Sequence, residues 1–390
     1  MPSAASIRPT CAEVDLEVLA GNIRALKDST RPGAALMAVV KADGYGHGAL
    51  QVARTAQAAG AEWLGVAIPE EGLQLRRAGI GGPILVLGWT PPAQAASAVQ
   101  ADLTLTVSSL AAARDLALAA RGAGLARVHL KVDTGMGRLG VLAGREGLAE
   151  AVAICRLPGL SVEGAFTHFA AADEPDRTFT YRQLELFQDF LARLEQHRIT
   201  FALRHAANTA ALVDLPESHL DLVRPGLGLY GYLPSQHVQR PPGLRPALTW
   251  RTQVSHVKVL PAGSPVGYGR TYHTVRPTVI ATLPVGYADG YPRSLSNAGD
   301  VLLHSRRCRI AGRVCMDQLM VEVPDGMDIR VGDEVILLGR QGGDSIDADE
   351  LAARAGTIAH EILTGIGPRV PRVHLHRWEG ADIGREATPT

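Results

Sequence analysis

The sequence predicts an α/β protein: a (β/α)8 TIM-type barrel followed by a mainly antiparallel β domain. Along the first two-thirds of the chain, short β-branched runs alternate with Ala- and Leu-rich helical patterns. Such alternation is typical of parallel strands that are joined by helices. We count eight of these units, and eight is the number that closes a βα barrel. After Gly231 the alternation stops and short strand-like runs follow one another.

The candidate barrel strands are apolar runs bounded by polar residues and glycines. They are Leu36–Lys41, Glu62–Ala67, Pro83–Gly88, Asp102–Val107, Arg127–Val132, Ser161–Thr167, Thr200–His205 and Asp221–Arg224. Helical patterns lie between them, and the clearest is Thr178–Gln196. Four of its apolar residues recur at the spacing of one helix face, which predicts a helix that packs against the barrel. They are Leu184, Phe187, Phe190 and Leu191.

The second domain follows a segment rich in proline and polar residues, Tyr232–Pro246, which predicts a linker. We therefore expect a barrel domain at residues 1–240 and a β domain at residues 241–390. The predicted strands of the β domain are Leu248–Leu260, Val279–Pro284, Asp300–His304, Arg307–Ile310, Gln318–Val323 and Glu334–Leu338. A helix at Ala348–Leu363 and a last strand around Arg369–His374 are expected to complete it.

Composition and charge argue against several classes of function. The 39 basic residues balance 39 acidic ones, which gives no electrostatic reason to expect nucleic acid or an anionic membrane as a partner. The apolar runs are too short to span a bilayer, and the N-terminus lacks the apolar core of a secretory signal. The four cysteines form no CxxC pair, so neither a disulfide framework nor a zinc site is expected. We expect a cytoplasmic protein without a metal.

The strongest local signal of chemistry surrounds Lys41, in the segment AVVKADGYGHG that begins at Ala38. Many lysines at strand ends simply extend their amine into water. Lys41, however, falls at the carboxyl end of the first predicted barrel strand, where the active sites of barrels form. A low-dielectric barrel mouth lowers the pKa of an amine, and a neutral amine can form a Schiff base.

Polar side chains also follow four other predicted barrel strands. They are Arg138 after strand five, Thr167 and His168 at strand six, His205, Asn208 and Thr209 at strand seven, and Arg224 at strand eight. A single residue of this kind would more often be structural than functional. Because five strands deliver such groups to the same face, we expect Lys41, Arg138, His168, His205 and Arg224 to share one barrel mouth.

The loop after strand eight adds a hint of the ligand. Its sequence, RPGLGLYG from Arg224 to Gly231, contains glycines that let backbone amides approach a ligand closely. Loops after strands seven and eight are the usual phosphate site of a barrel, and Thr209 adds a hydroxyl at the start of a short predicted helix. The loop is neither a Walker A motif nor a dinucleotide fingerprint, so it indicates only a phosphate group.

Seven segments, in family order, resemble the bacterial alanine racemases, a family of pyridoxal-phosphate enzymes with the type III fold. They are VKADGYGHG from Val40, KVDTGMGR from Lys131, HAANT from His205, RPG from Arg224, GYG from Gly267, LPVGYADG from Leu283 and CMD from Cys315. The resemblance runs from about Pro9 to Val373. Each motif alone is short, but seven of them in order are specific.

This resemblance implies racemisation of alanine by two bases, with pyridoxal 5'-phosphate as cofactor. Lys41 would hold the cofactor aldehyde as a Schiff base and act on one face of the substrate α-carbon. Tyr268, from the partner subunit of a homodimer, would act on the opposite face. The D-alanine produced would supply cell-wall peptidoglycan.

The resemblance also implies the remaining contacts of the site. Arg224 would face the pyridine nitrogen, and Arg138 would contact the phenolic oxygen and the substrate carboxylate. The other cofactor ligands would be Tyr45, Asn208, Thr209, Gly226 and Leu227, with His168 and His205 orienting Arg224. Backbone amides near Met316 would meet the substrate carboxylate from the partner subunit. Supporting roles fall to Lys131, which is carbamylated in some relatives, and to Tyr287, Cys315 and Asp317.

One departure from the family pattern leaves the substrate open. Many relatives have a tyrosine where this chain has Pro368, just before the RVPR segment, so serine or a larger amino acid is an alternative substrate. Three further functions fit a barrel with this lysine: a type III decarboxylase, a non-catalytic pyridoxal-phosphate carrier, and an aldolase that uses Lys41 without cofactor. The β domain with Tyr268 argues against a carrier, because the carriers are single barrels.

Overall fold

The computed structural model describes residues 8–376 and the backbone of the strand Gly384–Ala387. The described residues form two compact units. The barrel unit contains residues 19–44 and 49–245, and the β unit contains residues 8–18, 45–48 and the chain from 246 onwards. Within the described part of the chain, every helix is too short or too polar to cross a membrane.

Eight parallel strands form the barrel. In chain order, barrel strands one to eight are Ala35–Val39, Trp63–Val66, Ile84–Val86, Leu105–Val107, Ala126–Asp133, Leu160–Phe166, Leu203–His205 and Leu222–Val223. Strand eight pairs with strand one, and the order continues from one to three in one sheet and from four to seven in another. A bridge between Leu85 and Thr104 and a hydrogen bond from Asp221 N to Arg204 O, 3.0 Å, join the two sheets. The ring is closed, and the predicted barrel is confirmed.

Helices cover the outside of these strands. They are Leu16–Asp28, Ala49–Ala58, Pro69–Arg77, Pro92–Gln100, Leu110–Ala119, Arg145–Cys155, Thr178–Gln196 and Thr209–Asp214. The helix Thr178–Gln196 has the predicted bounds, and its residues Leu184, Phe187 and Phe190 are buried as expected. Leu191 is only partly buried, because it lies at the border of this face. Helices on one face and barrel interior on the other bury the strands on both sides, which explains their nearly continuous apolar runs.

The β unit consists mainly of antiparallel strands. They are Cys11–Asp15, Leu248–Gln253, His256–Leu260, Pro265–Val266, Tyr272–His273, Thr278–Leu283, Asp300–Leu303, Arg306–Arg309, Leu319–Glu322, Glu334–Gln341, Asp344–Ile346, Arg372–His376 and Gly384–Ala387. Its helices are Ala348–Ala355 and Ala359–Gly365. The expected mainly antiparallel β architecture is confirmed.

Two segments of the β unit differ from the prediction. The predicted strand Leu248–Leu260 is two strands that belong to different sheets, because the chain leaves the first sheet after Gln253 and enters the second at His256. The predicted helix Ala348–Leu363 is interrupted at Gly356, whose φ of 74° is left-handed. A left-handed glycine ends an α-helix, so a second helix begins beyond it.

The strand Cys11–Asp15 was not predicted. It pairs antiparallel with Leu248–Gln253 and parallel with Arg372–His376, so this early segment lies in the middle of the large sheet of the β unit. A strand of five residues far in sequence from its partners gives no local signal of where it pairs. The expected division of the chain at residue 240 into a cofactor-binding domain and a second domain stays a prediction.

Candidate active site

Lys41 lies at the start of a left-handed turn rather than at the end of a strand. Barrel strand one stops at Val39, two residues before the predicted end. The segment Lys41–Gly46 is helical, but its residues after the lysine all have positive φ: Ala42 52°, Asp43 53°, Gly44 60°, Tyr45 52° and Gly46 80°. For residues other than glycine this conformation costs roughly 1–2 kcal/mol each. Such strain is typical of functional sites, where surrounding contacts hold it in place.

Three hydrogen bonds hold this turn in the barrel unit. Gly44 N donates to Val40 O at 2.8 Å, and Ala49 N donates to Asp43 Oδ1 at 2.8 Å. Ala42 N donates to Glu71 Oε1 at 2.6 Å. The other oxygen of Glu71 accepts a hydrogen bond from Ala67 N at 2.7 Å, so one carboxylate ties the turn to the loop after strand two. The Lys41 side chain is thereby presented from a rigid backbone.

The electrostatic surroundings of Lys41 favour its neutral form. Burial lowers the pKa of the amine, the positive charge of Arg138 lowers it further, and the carboxylate of Glu71 opposes both effects. The net pKa lies below the ordinary lysine value of 10.5. A larger fraction of the amine is therefore neutral, and only the neutral amine is a nucleophile or a base.

Arg138 is carried by a loop that the Asp133 carboxylate organises. This carboxylate accepts hydrogen bonds from Gly135 N at 2.9 Å and from Gly137 N at 3.0 Å. Further along, Gly140 has a φ of 129°, and a Cβ there would lie 2.6 Å from Asp133 N. Only glycine fits this close approach, which explains the density of glycines around Arg138.

Arg224 is buried at the end of barrel strand eight and is fully engaged by the barrel. Its guanidinium donates to Thr167 O at 2.8 Å, Ala206 O at 2.9 Å and His205 Nδ1 at 2.8 Å. His168 Nδ1 lies 3.4 Å from the same group. All of these partners are neutral, so this cation is positioned by hydrogen bonds and not by a carboxylate. Burial and the nearby charge of Arg138 lower its pKa.

Lys131 is a second buried cation of the mouth. Its Nζ has no hydrogen-bond partner among the described residues and lies 4.7 Å from the ring centroid of Phe166. Burial, reinforced by Arg224 and Arg138, lowers the pKa of this amine well below its usual value. The guanidinium of Arg224 lies 5.4 Å from the same ring, so Phe166 offers its π face to two like charges.

The mouth carries a surplus of positive charge. Burial lowers the pKa of His168 well below its ordinary value, and Arg224, Lys131, Arg138 and Lys41 lower it further. The four cations act on this one ring, so the structure does bring these predicted residues together. Uncompensated positive charge in a buried site is unfavourable, and the arrangement therefore favours an anionic ligand.

Beside this cluster lies a glycine-lined loop. Thr209 Oγ1 accepts hydrogen bonds from Gly226 N at 3.0 Å and Gly228 N at 3.4 Å. Leu227 begins the turn Leu227–Tyr230, and a Cβ at Gly228 would lie 2.8 Å from Thr209 Cγ2. Asn208 caps the following helix by accepting from Ala211 N at 3.1 Å. The Thr209 hydroxyl accepts from these amides and keeps its own hydrogen to donate, and the glycines let a ligand approach the backbone closely, which suits a phosphate.

The other predicted residues belong to the β unit. Tyr268 is 73% exposed on a turn between Gly267 and Gly269, whose φ angles are 71° and 70°. Tyr45 is buried, and this burial raises its pKa to about 12, so its phenol remains a hydrogen-bond donor. Gly46 O, one residue further, accepts from Arg372 Nε at 2.9 Å.

Tyr287 and the segment from Cys315 to Asp317 are joined by backbone hydrogen bonds. Tyr287 N donates to Cys315 O at 3.0 Å, and the next amide donates to Met316 O at 3.0 Å. A Cβ at Gly286 would lie 2.3 Å from both of these carbonyl oxygens. Asp317 pairs with Arg369 at 2.8 Å. Met316 and Tyr287 are exposed, so this surface offers apolar side chains to solvent.

Two residues of the mouth, His129 and Phe166, were not predicted from the sequence as part of the site. His129 Nδ1 lies 2.8 Å from His205 Nε2, and the Phe166 ring stacks on His205 at 4.7 Å. A signal for His129 existed, because it precedes Lys131 by two residues on strand five and alternate residues of a strand face the same side. Phe166 has no such signal, since an apolar residue in a barrel strand is ordinarily part of the core.

Comparison with known proteins gives full-length matches. The model of the alanine racemase N-terminal domain matches residues 14–234, and that of the alanine racemase C-terminal domain matches residues 247–374. An alanine racemase of Symbiobacterium thermophilum is 52% identical over 370 residues, covering 94% of this chain and 97% of that protein. One of Desulforamulus reducens is 49% identical over 369 residues, covering 94% and 99%.

Solved structures agree with these matches. The alanine racemase of Bacillus anthracis with bound L-Ala-P has a TM-score of 0.92 and 37% identity, over 97% of this chain and 98% of that one. The alanine racemase of a D-cycloserine-producing Streptomyces lavendulae has a TM-score of 0.90 and 44% identity, over 96% and 99%. The fold, an N-terminal barrel and a C-terminal unit made mostly of strands, is therefore shared.

Proposed function

Because this chain belongs to the alanine racemase family, we propose that it interconverts L- and D-alanine with pyridoxal 5'-phosphate as cofactor. The observation that supports this most directly is the buried Lys41 amine, whose pKa is lowered, in a barrel mouth that also holds Lys131, Arg138 and Arg224. A bare amine in that position suits covalent attachment to an aldehyde. The cations suit the anionic groups of the cofactor and of an amino acid.

The residues of the mouth fit this cofactor. Lys131 Nζ is buried without a partner among the described residues, and the three close acceptors of Arg224 are neutral. A ligand that carries a phosphate and a phenolic oxygen would balance these charges, and a substrate carboxylate would balance the rest. We assign the phosphate to the cradle of Thr209, Gly226 and Leu227, with Asn208 and Tyr45 as further ligands.

When bound, pyridoxal phosphate supplies an electron sink for the pair left behind on the substrate α-carbon. The protein decides where the protons go. Lys41 Nζ takes or returns the proton on one face, and Tyr268 Oη does so on the other, since inversion needs bases on opposite sides. Arg138 binds the substrate carboxylate, and the backbone amides near Met316 of the partner subunit complete that contact.

Arg224 has a restraining role in this proposal. Its guanidinium holds its protons firmly, so it would offer the pyridine nitrogen a hydrogen bond without transferring a proton. Arg224 would thereby moderate the electron sink that the cofactor supplies and limit side reactions. His168 and His205 support Arg224 through the hydrogen bonds described above.

Tyr268 requires a homodimer in this proposal. Its phenol stands on an exposed Gly–Tyr–Gly turn, which suits a side chain that is delivered to another subunit. Tyr287, Cys315 and Asp317 would support the neighbouring Met316 loop. A cytoplasmic location and a supply of D-alanine to peptidoglycan are the setting that we propose for this activity.

Lys131 offers a second way to balance charge. A buried amine with a strongly lowered pKa reacts with carbon dioxide, and the resulting carbamate would be an anion next to Arg138. We propose this modification for Lys131. Intact-protein mass spectrometry should show a mass increase of one carbon dioxide with bicarbonate and its loss on removal, and Lys131→Met should show no such increase.

The experiment that tests the function is the circular-dichroism signal of L-alanine incubated with cofactor-loaded protein. Racemisation predicts decay to zero without release of carbon dioxide or ammonia. Release of carbon dioxide would instead favour a decarboxylase. A yellow protein that leaves the signal unchanged would favour a carrier or a different substrate. L-serine is the first substrate to try in that case, because Pro368 has neither the hydroxyl nor the aromatic ring of a tyrosine to narrow the pocket.

A further inference from the structure

We propose that Glu163 is a positioning residue for Arg224, acting through His129 and His205 along the interior of the barrel. This inference rests on the proposed function for its catalytic consequence, since Arg224 is the residue assigned to the pyridine nitrogen. Its structural basis is independent of that assignment. It follows from the donors and acceptors of four side chains.

The direction of the hydrogen bonds is fixed at Arg224. A guanidinium can only donate, so the nitrogen of His205 that faces it at 2.8 Å, Nδ1, must accept. The hydrogen of the neutral His205 ring is then on Nε2. This nitrogen lies 2.8 Å from His129 Nδ1, which must therefore accept as well. The remaining nitrogen of His129, Nε2, carries the hydrogen.

The neutral state of both histidines agrees with their surroundings. Burial lowers the pKa of His205 well below its ordinary value, and Arg224 and Lys131 reinforce the effect. Burial also lowers the pKa of His129, with Glu163 opposing and Arg224 reinforcing it. Had both His129 nitrogens carried hydrogens, two donors would face each other between His129 and His205.

The hydrogen on His129 Nε2 points to Glu163. No hydrogen-bond partner of this nitrogen occurs among the described residues, and Glu163 Oε1 lies 3.8 Å from it. This distance is longer than a direct hydrogen bond, but a charge at this range still favours the tautomer with hydrogen on the near nitrogen.

Glu163 is itself held in place as an anion. Thr104 Oγ1 donates to its Oε1 at 3.1 Å, and its side chain is 27% exposed. Burial alone would raise the pKa of this carboxyl, but the contacts with His129 and Thr104 and the charge of Arg127 lower it overall. The next residue, Gly164, leaves room for His129, because a Cβ there would lie 2.7 Å from the imidazole ring.

Without the acceptor at position 163, the hydrogen on His129 Nε2 would be buried without a partner, and this cost would oppose the tautomers that Arg224 selects. His129 could then move its hydrogen to Nδ1, and His205 would have to accept at Nε2 and donate at Nδ1. A donor would then face the guanidinium of Arg224, which has no acceptor to offer. Arg224 would shift away from His205, and a displacement of about 1 Å at a catalytic group can cost a hundredfold in rate.

The test is ring-nitrogen NMR on protein labelled with 15N-histidine, combined with steady-state kinetics of the cofactor-loaded enzyme. Three variants are compared: Glu163→Leu, which removes the acceptor, Glu163→Gln, which keeps an amide oxygen that can accept, and Asp189→Asn. Asp189 is the control, because it is an exposed carboxylate that pairs with Arg193 at 3.8 Å on the helix Thr178–Gln196.

In the wild type, His205 and His129 should both carry hydrogen on Nε2. Glu163→Leu should give mixed tautomers at both rings and lower kcat by roughly tenfold, with little change in KM. Glu163→Gln should keep the wild-type tautomers and most of kcat, and Asp189→Asn should leave both unchanged. A merely structural role of Glu163 would lower stability without changing the tautomers.

Two results would overturn the proposal: hydrogen on His129 Nδ1 in the wild type, or unchanged tautomers in Glu163→Leu. The wild-type measurement needs no variant, so a Glu163→Leu protein that fails to fold does not remove the test, and Glu163→Ala can replace it. If the protein binds no pyridoxal phosphate, the proposed function fails while the tautomers remain readable.

Discussion

The barrel mouth and the surface around Tyr268 hold their polar groups in different ways. In the mouth, Arg224 is buried and makes three short hydrogen bonds to the barrel, and Lys41 stands on a turn fixed by Glu71. Tyr268 is largely exposed and stands on a turn of two glycines. The buried basic groups of the barrel unit therefore favour an anionic ligand, whereas Tyr268 is exposed to solvent.

The two regions suit two different requirements of a racemase, which are binding of the cofactor and supply of a second base. Binding the cofactor needs fixed charges, which require burial and many hydrogen bonds. The second base must stand on the opposite face of the substrate, and a fixed barrel mouth supplies groups from one side only. We expect changes in the mouth to affect cofactor binding and stability, and changes at Tyr268 to affect only the reaction.

The largest effect should follow removal of the Lys41 amine. Lys41→Ala should abolish racemisation in both directions, by at least roughly 10³-fold, and should prevent covalent capture of the cofactor. The measurements are the circular-dichroism assay and the visible spectrum of the cofactor-loaded protein. Lys27→Ala removes a surface lysine that pairs with Glu62 and should retain activity. Substantial turnover by Lys41→Ala would mean that another group is the base.

Tyr268→Phe should come next, with a loss of roughly 10²–10³-fold in racemisation. Because this side chain is exposed and belongs to the β unit, cofactor affinity and thermal stability should stay at wild-type values. The α-proton exchange of one alanine enantiomer with D2O should persist, since Lys41 remains. Tyr272→Phe is the matched control, because its hydroxyl bonds Glu322 at 2.6 Å. Equal loss of exchange for both enantiomers would contradict the two-base assignment.

Arg224→Lys should affect both stability and rate. Lysine cannot form the planar set of hydrogen bonds to Thr167, Ala206 and His205, so buried acceptors lose their donor at roughly 1–3 kcal/mol. We expect a lower free energy of unfolding and a kcat reduced by about 10²-fold. Arg204→Lys, at an exposed pair with Asp221, should change either quantity little. A fully stable and active Arg224→Lys would show that the geometry of this cation is unimportant.

The lowered pKa of Lys131 predicts that the free energy of unfolding of the cofactor-free protein depends on pH. Its folded-state pKa lies well below the unfolded value of 10.5, so between the two values the unfolded chain binds more protons. Stability contributed by this site therefore rises with pH through that window. The wild type should gain stability relative to Lys131→Met as the pH is raised from about 7 to about 10, as measured by urea unfolding under carbon-dioxide-free conditions. Parallel pH profiles would contradict a lowered pKa.

The smallest effect should come from the phosphate cradle. Thr209→Val removes the hydroxyl that accepts from Gly226 N and Gly228 N, and we expect cofactor affinity to fall by roughly tenfold, the worth of one net hydrogen bond. Thr209→Ser should restore most of it. Equilibrium titration with pyridoxal phosphate measures both variants. Wild-type affinity in Thr209→Val would place the phosphate elsewhere.

The barrel was predictable because its strands are buried on both faces, and such strands appear in the sequence as nearly continuous apolar runs. Its polar strand ends were visible for the same reason, since Lys41, His205 and Arg224 interrupt those runs. The strand Cys11–Asp15 was not visible, because its partners Leu248–Gln253 and Arg372–His376 are more than 200 residues away.

Some details of the site could not be predicted from the sequence, because they too depend on the tertiary fold. The left-handed turn at Ala42–Gly46 contains residues that ordinarily avoid positive φ, so local propensity points away from it. Glu163 and His129 interact only because strands five and six are adjacent in the closed barrel. Such pairs depend on the tertiary fold, and residue type alone does not single them out.

Mixed dimers test whether the exposed Tyr268 completes the site of another subunit. Lys41→Ala and Tyr268→Phe are each expected to be inactive alone, but a mixed dimer contains one site with both wild-type residues. If random exchange of equal amounts is complete, about a quarter of the wild-type activity should return, because half of the dimers are mixed and one site in each is intact. If no activity returns although mixed dimers form, Tyr268 does not act across the subunits, and the assignment of a shared active site is wrong.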